Sequence, residues 1–182
     1  MAQPLLVSFV GRDRGAWRVE RLSAVIGQSL PQVGCLDVVE ERPVGDLEGV
    51  WVLRGVTSNE RYVERDERES LVAEQQPLGR ADATRAALIP IRKSSAWWEL
   101  TQDERRAIFE ARSHHIATGL EYLPGVARRL HHGRDLGEDF DFLTWFEFNP
   151  ADADAFEELV GRLRETEEWF YVEREVDIRL AR

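Results

Sequence analysis

Few residues in the 182-residue chain have the chemistry of a reactive site. The four histidines occur as two adjacent pairs, His114–His115 and His131–His132. Consecutive residues on a helix point about 100° apart, so the members of the first pair do not turn to one ligand together. On a helical wheel His115 falls beside Ile108 and Ala111, while His114 falls nearer Glu110. His115 is therefore the one aimed at an apolar interior. A histidine so placed is either a satisfied core residue or a ligand through one ring nitrogen. No H-E-x-x-H pair and no Cys-His set accompanies it, so the pattern of a catalytic zinc site is missing.

The second cluster is Ala127-Arg128-Arg129-Leu130. On a strand the two arginines take opposite faces. Arg128 shares its face with Val126 and Leu130, which makes it the inward-turning one. A buried guanidinium stays charged and needs an anion, either a substrate or the carboxylate of a bound group. Trp97, Trp98 and Trp145 lie near these elements and read as core. Glu167 and Glu168 precede the last strand; glutamates in such a charged run are mostly solvated, and one that lay near a ligating histidine would accept its Nδ1–H and strengthen it as a donor. The single cysteine, Cys35, reads as a half-buried thiol in a loop or strand, without a partner for a disulfide or a zinc cluster.

The elements that must position these groups follow from pattern. Leu5 to Val10 and Ala16 to Leu22 read as a β-hairpin around Gly11–Gly15. Val50 to Val56 is a strand, and the charged stretch from Asn59 to Gln76 is a helix. Ala86 to Ile91 is a strand. Thr101-Gln102-Asp103-Glu104 matches a capping box, and its helix runs to about His115, with a turn or two more to Tyr122. Val126 to His132 and the aromatic-rich Phe140 to Phe148 are strands. Asn149-Pro150 starts an amphipathic helix, Ala151 to Glu165, with Phe156, Leu159, Val160 and Leu163 on one stripe. Phe170 to Leu180 alternates, placing Phe170, Val172, Val176, Ile178 and Leu180 on one face. From Ala86 the order is strand, helix, strand, strand, helix, strand, the ferredoxin-like arrangement. The expected fold is α+β: ferredoxin-like repeats in an antiparallel sheet with helices on one face. Residues 1–85 form a degenerate half and residues 86–182 the half that carries the site.

Composition bounds the function. The formal charge of −10 argues against a nucleic-acid partner but leaves room for a small anion drawn by a local field. No run approaches the roughly 20 apolar residues that span a bilayer, and no leader is visible, so the expected compartment is the cytoplasm. Gly-rich phosphate loops and nucleophile elbows are absent.

Several stretches resemble the chlorite dismutase family: Ala87 to Trp98, Asp103 to His115, Leu123-Pro124, Ala127 to Asp135, Phe140 to Glu147, Thr166 to Trp169 and Val172 to Glu175. The compact length is similar to that of the short branch of the family, in which dimers are usual. The resemblance implies haem b as cofactor, a homodimer, and conversion of chlorite to chloride and O2. It puts the axial iron ligand on His115, the distal arginine on Arg128, and the glutamate that bonds the axial histidine on Glu168. Lys93 and Trp97 match haem-edge positions, Asn59 and Tyr62 reach the propionates, and Gln75 holds one rotamer of Arg128. Coproheme decarboxylases of haem synthesis share the fold and the axial histidine but usually lack the distal arginine, so Arg128 favours chlorite chemistry. A non-enzymatic haem carrier or sensor is the other reading that the same ligand allows.

Overall fold

The computed structural model describes residues 5–40, 47–57 and 76–182. Eight strands close into a barrel: β1 (Leu6–Arg12), β2 (Trp17–Ile26), β3 (Cys35–Val39), β4 (Trp51–Val56), β5 (Arg85–Lys93), β6 (Val126–His132), β7 (Phe142–Phe148) and β8 (Val172–Ala181). Their order around the barrel is β1-β3-β2-β8-β5-β7-β6-β4. Within the first four strands and within the last four the order is the same, each half running fourth, first, third, second. The halves join along β2–β8 by an extended ladder, and along β4–β6 at the single pair Val56–His132.

Alternation divides the strand residues between two cores. Phe9, Trp17, Leu36, Leu88, Leu143, Trp145 and Ile178 fill the barrel. Ala87, Ile89, Val126, Phe146 and Phe148 point outward and are covered by α4 (Ala153–Arg164). The Asn149 side chain accepts the Ala151 N–H at 2.9 Å and Pro150 opens a 3-10 turn, Pro150–Asp152, which leads into the helix two residues later than expected. Its stripe of Phe156, Leu159, Val160 and Leu163 is fully buried, and each side chain contributes about 1.5–3 kcal/mol by leaving water. No helix of the described residues is long and apolar enough to cross a membrane.

Three expectations are corrected. The first two strands do not pair with each other, because β3 lies between them. The four residues linking them, 13–16, reach across two strand spacings of about 4.8 Å each without difficulty, and Leu36 of β3 is buried in the barrel as a result. The helix from Thr101 does not run to His115. It is α-helical over α2 (Gln102–Arg106), widens to a π-helix over Ala107–Arg112, and breaks at His114, whose φ of 51° is left-handed. A new helix, α3 (His115–Glu121), starts at the candidate ligand itself. Last, the alternation around β8 is interrupted. Phe170 lies in a 3-10 turn, Glu167–Tyr171, and is 84% exposed. An irregularity where Arg92 and Lys93 meet Arg174 and Val172 turns Val172 to the outer core, away from Val176, Ile178 and Leu180. The charged residues that alternate with those three, Glu175, Asp177 and Arg179, are buried too, since α4 covers them: Glu175 and Asp177 accept from Arg164 at 2.5 and 2.8 Å, and Asp177 also accepts from Arg179. The charged stretch expected as a helix from Asn59 lies, apart from Gln76, outside the described residues.

Candidate functional site

The site is built on the outer face of the second half, where α3 and the 3-10 turn before β8 come together. His115 heads α3, and its Nδ1 lies 2.7 Å from Glu168 Oε2. The other carboxylate oxygen of Glu168 accepts from Lys93 Nζ at 2.8 Å. Lys93 and Glu168 are both buried, whereas the His115 side chain keeps 18% of its surface exposed. Burial by itself would raise the Glu168 carboxyl; the Lys93 charge, then His115 and the two side-chain hydrogen bonds, more than reverse this and take it down to about 2. Glu168 is thus an ionised acceptor, and the His115 Nδ1 that faces it is the donor. Nε2 is left for another partner, and among the described residues nothing engages it.

Backbone and ring contacts hold this chain of groups. Lys93 closes β5, with its N–H donating to Asp141 Oδ2 at 2.7 Å. Its ammonium lies 4.6 Å from the Trp97 ring and 5.4 Å from the Trp169 ring. Trp97 is buried in α1 (Ser95–Glu99), whose end is tied to α2 by Arg105 donating to the Trp97 and Trp98 carbonyls. The Glu168 N–H donates to Ser113 Oγ at 3.1 Å, and the Phe109 ring stacks on His115 at 4.4 Å.

Arg128 approaches from β6. Its guanidinium lies against Gly119, where an added Cβ would come within 3.1 Å of Nη1. Gly119 is four residues after His115, so both lie on one face of α3. Glycine inside a helix costs about 1 kcal/mol relative to alanine; here the space it leaves is taken by the arginine. Arg128 also borders a cavity of about 480 Å3, together with Trp17, Trp145, Glu147 and Arg129. Its neighbour Arg129 turns the other way, pairing with Glu40 and donating from Nε to His131 Nε2.

The structure thus brings together His115, Glu168, Lys93 and Trp97, and sets Arg128 against the helix that carries His115. Asn59, Tyr62 and Gln75 lie outside the described residues. Lys93 is engaged by Glu168 and buried, so any influence it has on a ligand passes through that carboxylate. Sequence reasoning missed Glu110, Ser113, Phe109 and Gly119. A continuous helical wheel separates Phe109 from His115 by about 120°, and only the break at His114 lets the rings meet. Gly119 carried a weak signal as a glycine inside an apolar helical stretch.

The arrangement suits a metal held by one imidazole. A carboxylate behind the Nδ1–H is the usual outer partner of a ligating histidine. Among the described residues no group of three His, Cys, Asp or Glu is placed to hold a metal ion, so a metal on Nε2 would draw its other ligands from a prosthetic group.

Residues 38–182 match the family model described as chlorite dismutase. Over 118 residues the chain is 36% identical to the chlorite dismutase of Ideonella dechloratans, covering 64% of this chain and 39% of that protein; the match spans well under half of that relative's length. A crystal structure of a dimeric chlorite dismutase from Nitrobacter winogradskyi is 60% identical, with a TM-score of 0.90 over 97% of this chain and 99% of that one. A mutant chlorite dismutase from Candidatus Nitrospira defluvii shares the fold at 18% identity, with a TM-score of 0.68 over 98% and 92% of the two chains.

Proposed function

The chain belongs to the chlorite dismutase family, and from that premise we propose that it is a haem b-dependent enzyme converting chlorite to chloride and O2. The observation that carries the reading is the Lys93–Glu168–His115 relay, with Arg128 set against the same helix face. In this reading Nε2 of His115 would hold the haem iron. Glu168 accepts its Nδ1–H, fixes the ring plane and makes the imidazole a stronger donor. Lys93 keeps Glu168 ionised, and Trp97 packs over Lys93. When bound, haem supplies the redox chemistry that breaks and forms bonds to oxygen.

Arg128 does the work on the substrate side. Its permanent charge attracts chlorite and orients the anion. It would keep the anion within the site while chlorite, ClO2−, is converted to chloride and O2, an overall change in which no atom is gained or lost. No proton is consumed overall, which suits a site whose conspicuous substrate-side group is a cation. The shared strand order supports two ferredoxin-like halves, residues 1–85 and 86–182, and the 60% identical dimeric relative supports a homodimer. Asn59, Tyr62 and Gln75 complete the proposed contacts, to the propionates and to Arg128.

Reconstitution with haem tests the ligand. The native chain is expected to give a Soret band and, when reduced, an iron–histidine stretching band; His115→Ala is expected to lose that band. An unchanged band in the variant would remove His115 as the ligand. Incubation with iron coproporphyrin and peroxide separates the related decarboxylation: haem b formation there, with no O2 from chlorite, would replace the proposed activity.

A further inference from the structure

The helix break that delivers His115 is held by a side chain with no part in the relay described above. The turn costs energy: His114 adopts φ 51° and ψ 38°, a left-handed conformation worth about 1 kcal/mol or more against a non-glycine residue. It also leaves the first N–H groups of α3 without helical partners, and His114, in the capping position, makes no side-chain cap. Glu110 fills that role from the preceding π-helical turn. Its Oε2 accepts the Ile116 N–H at 2.6 Å and its Oε1 accepts the Ala117 N–H at 3.2 Å. Its own carbonyl accepts the His114 N–H at 2.9 Å, so one residue grips both sides of the break. The carboxylate also places a negative charge at the positive end of the helix. Ser113, on the same side of the break, receives the Glu168 N–H. The residues around His115 therefore bind both its helix and the turn of its acceptor.

We propose that Glu110 is a positioning residue for His115: its bidentate cap on α3 sets the ring so that Nδ1 meets Glu168 while Nε2 stays presented. This rests on the reading of His115 as the haem ligand. A side chain that only stabilised the helix would affect melting and amide exchange. A positioning residue also changes how the imidazole bonds iron.

The test uses the full chain reconstituted with haem, as native protein, Glu110→Ala, Glu110→Gln and His115→Ala. Three quantities are read: haem transfer to an excess of a haem-scavenging apoprotein, the iron–histidine stretching band of the reduced protein, and amide exchange at Ile116 and Ala117. Glu110→Ala is expected to release haem roughly 10- to 100-fold faster, the usual size for an outer partner of a metal ligand, with a displaced band and faster exchange at both amides. Glu110→Gln, with one acceptor oxygen for two N–H groups, is expected to recover most of this and lose haem roughly fivefold faster than the native chain, about the value of one cap. Faster amide exchange with native haem release and a native band would overturn the proposal and leave Glu110 as a helix cap alone. If Glu110→Ala does not fold, Glu110→Gln decides: native haem release and a native band in it overturn the proposal equally. His115→Ala keeps the two readings apart. Loss of its band upholds the ligand whatever Glu110 shows, and retention of the band removes the ligand and this proposal with it.

Discussion

The sheet of β6, β7, β5 and β8 presents two faces, each with a hydrogen-bonded histidine, and the two histidines differ in what their second nitrogen does. On the barrel side His131 is fully buried, its Nδ1 against the Leu143 carbonyl at 3.0 Å and its Nε2 accepting from Arg129 at 3.2 Å. Both nitrogens are occupied, and the residue is a strut. On the helix side His115 has an ionised carboxylate on Nδ1 and Nε2 left over. Burial separates the two poorly as candidates, because the more buried one is inert. What marks a ligand is an unfilled position on a ring whose other position is fixed. The faces also differ in their carboxylates. Glu147, on the barrel side, is buried and accepts from Trp145 Nε1 at 2.9 Å and the Gly79 N–H at 2.6 Å, both neutral donors. Glu168 instead faces a buried ammonium.

If the faces are separate in function, substitutions should separate them. The largest effect is expected from Glu168→Gln. It leaves Lys93 buried without its counter-charge, which costs about 3–5 kcal/mol of stability, and it weakens haem retention roughly 10- to 100-fold. Urea unfolding and haem transfer read the two losses. Trp145→Ala, on the barrel side, should cost a comparable 3–5 kcal/mol in urea and leave haem retention by the folded protein unchanged; a parallel loss of haem would show that the faces are coupled. Next comes acid. Burial, aided by the Arg129 charge and opposed by the Leu143 carbonyl, lowers His131 from 6.5 to about 4. The unfolded chain therefore takes up a proton there that the folded one refuses. Stability is intact above pH 6.5 and falls as the pH drops from 6.5 towards 4. At about 1.4 kcal/mol per pH unit the loss is roughly 3 kcal/mol. Urea unfolding at pH 7, 5.5 and 4.5 should show it, and His131→Gln should flatten that limb. The smallest effect on stability is expected from Arg128→Ala, whose guanidinium meets α3 at a glycine. Its melting should stay near native while turnover falls by on the order of 100-fold.

Much of this was legible in the sequence where one rule decided the outcome. The capping box at Thr101, the Asn149 cap, the stripe on α4 and the strand from Val126 to His132 all formed as local chemistry dictates. Periodicity failed where a third element intervened. The first two strands read as a hairpin because nothing local shows β3 entering between them. Phe170 fits the alternation of β8, but its backbone belongs to a turn. Glu175, Asp177 and Arg179 form a buried ion-pair cluster because α4 brings Arg164 and Glu157 to them, which nothing local to β8 shows. His115 was selected by a wheel that assumed a continuous helix. In the structure a left-handed residue restarts the helix at His115, so the orientation of its ring has a different cause from the one the wheel supplied. Glu110 was set aside on that wheel as a neighbour of His114, and only the break brings its carboxylate to the amides beyond His115.

The most direct test is O2 evolution at an oxygen electrode when chlorite is added to the haem-loaded protein, native and Arg128→Ala side by side. The expected result is one O2 per chlorite from the native protein, and evolution slowed on the order of 100-fold in the variant at equal haem content, with faster haem bleaching as oxidant escapes. No O2 from the native haem-loaded protein would contradict the proposed activity, and equal rates from the two would take Arg128 out of it.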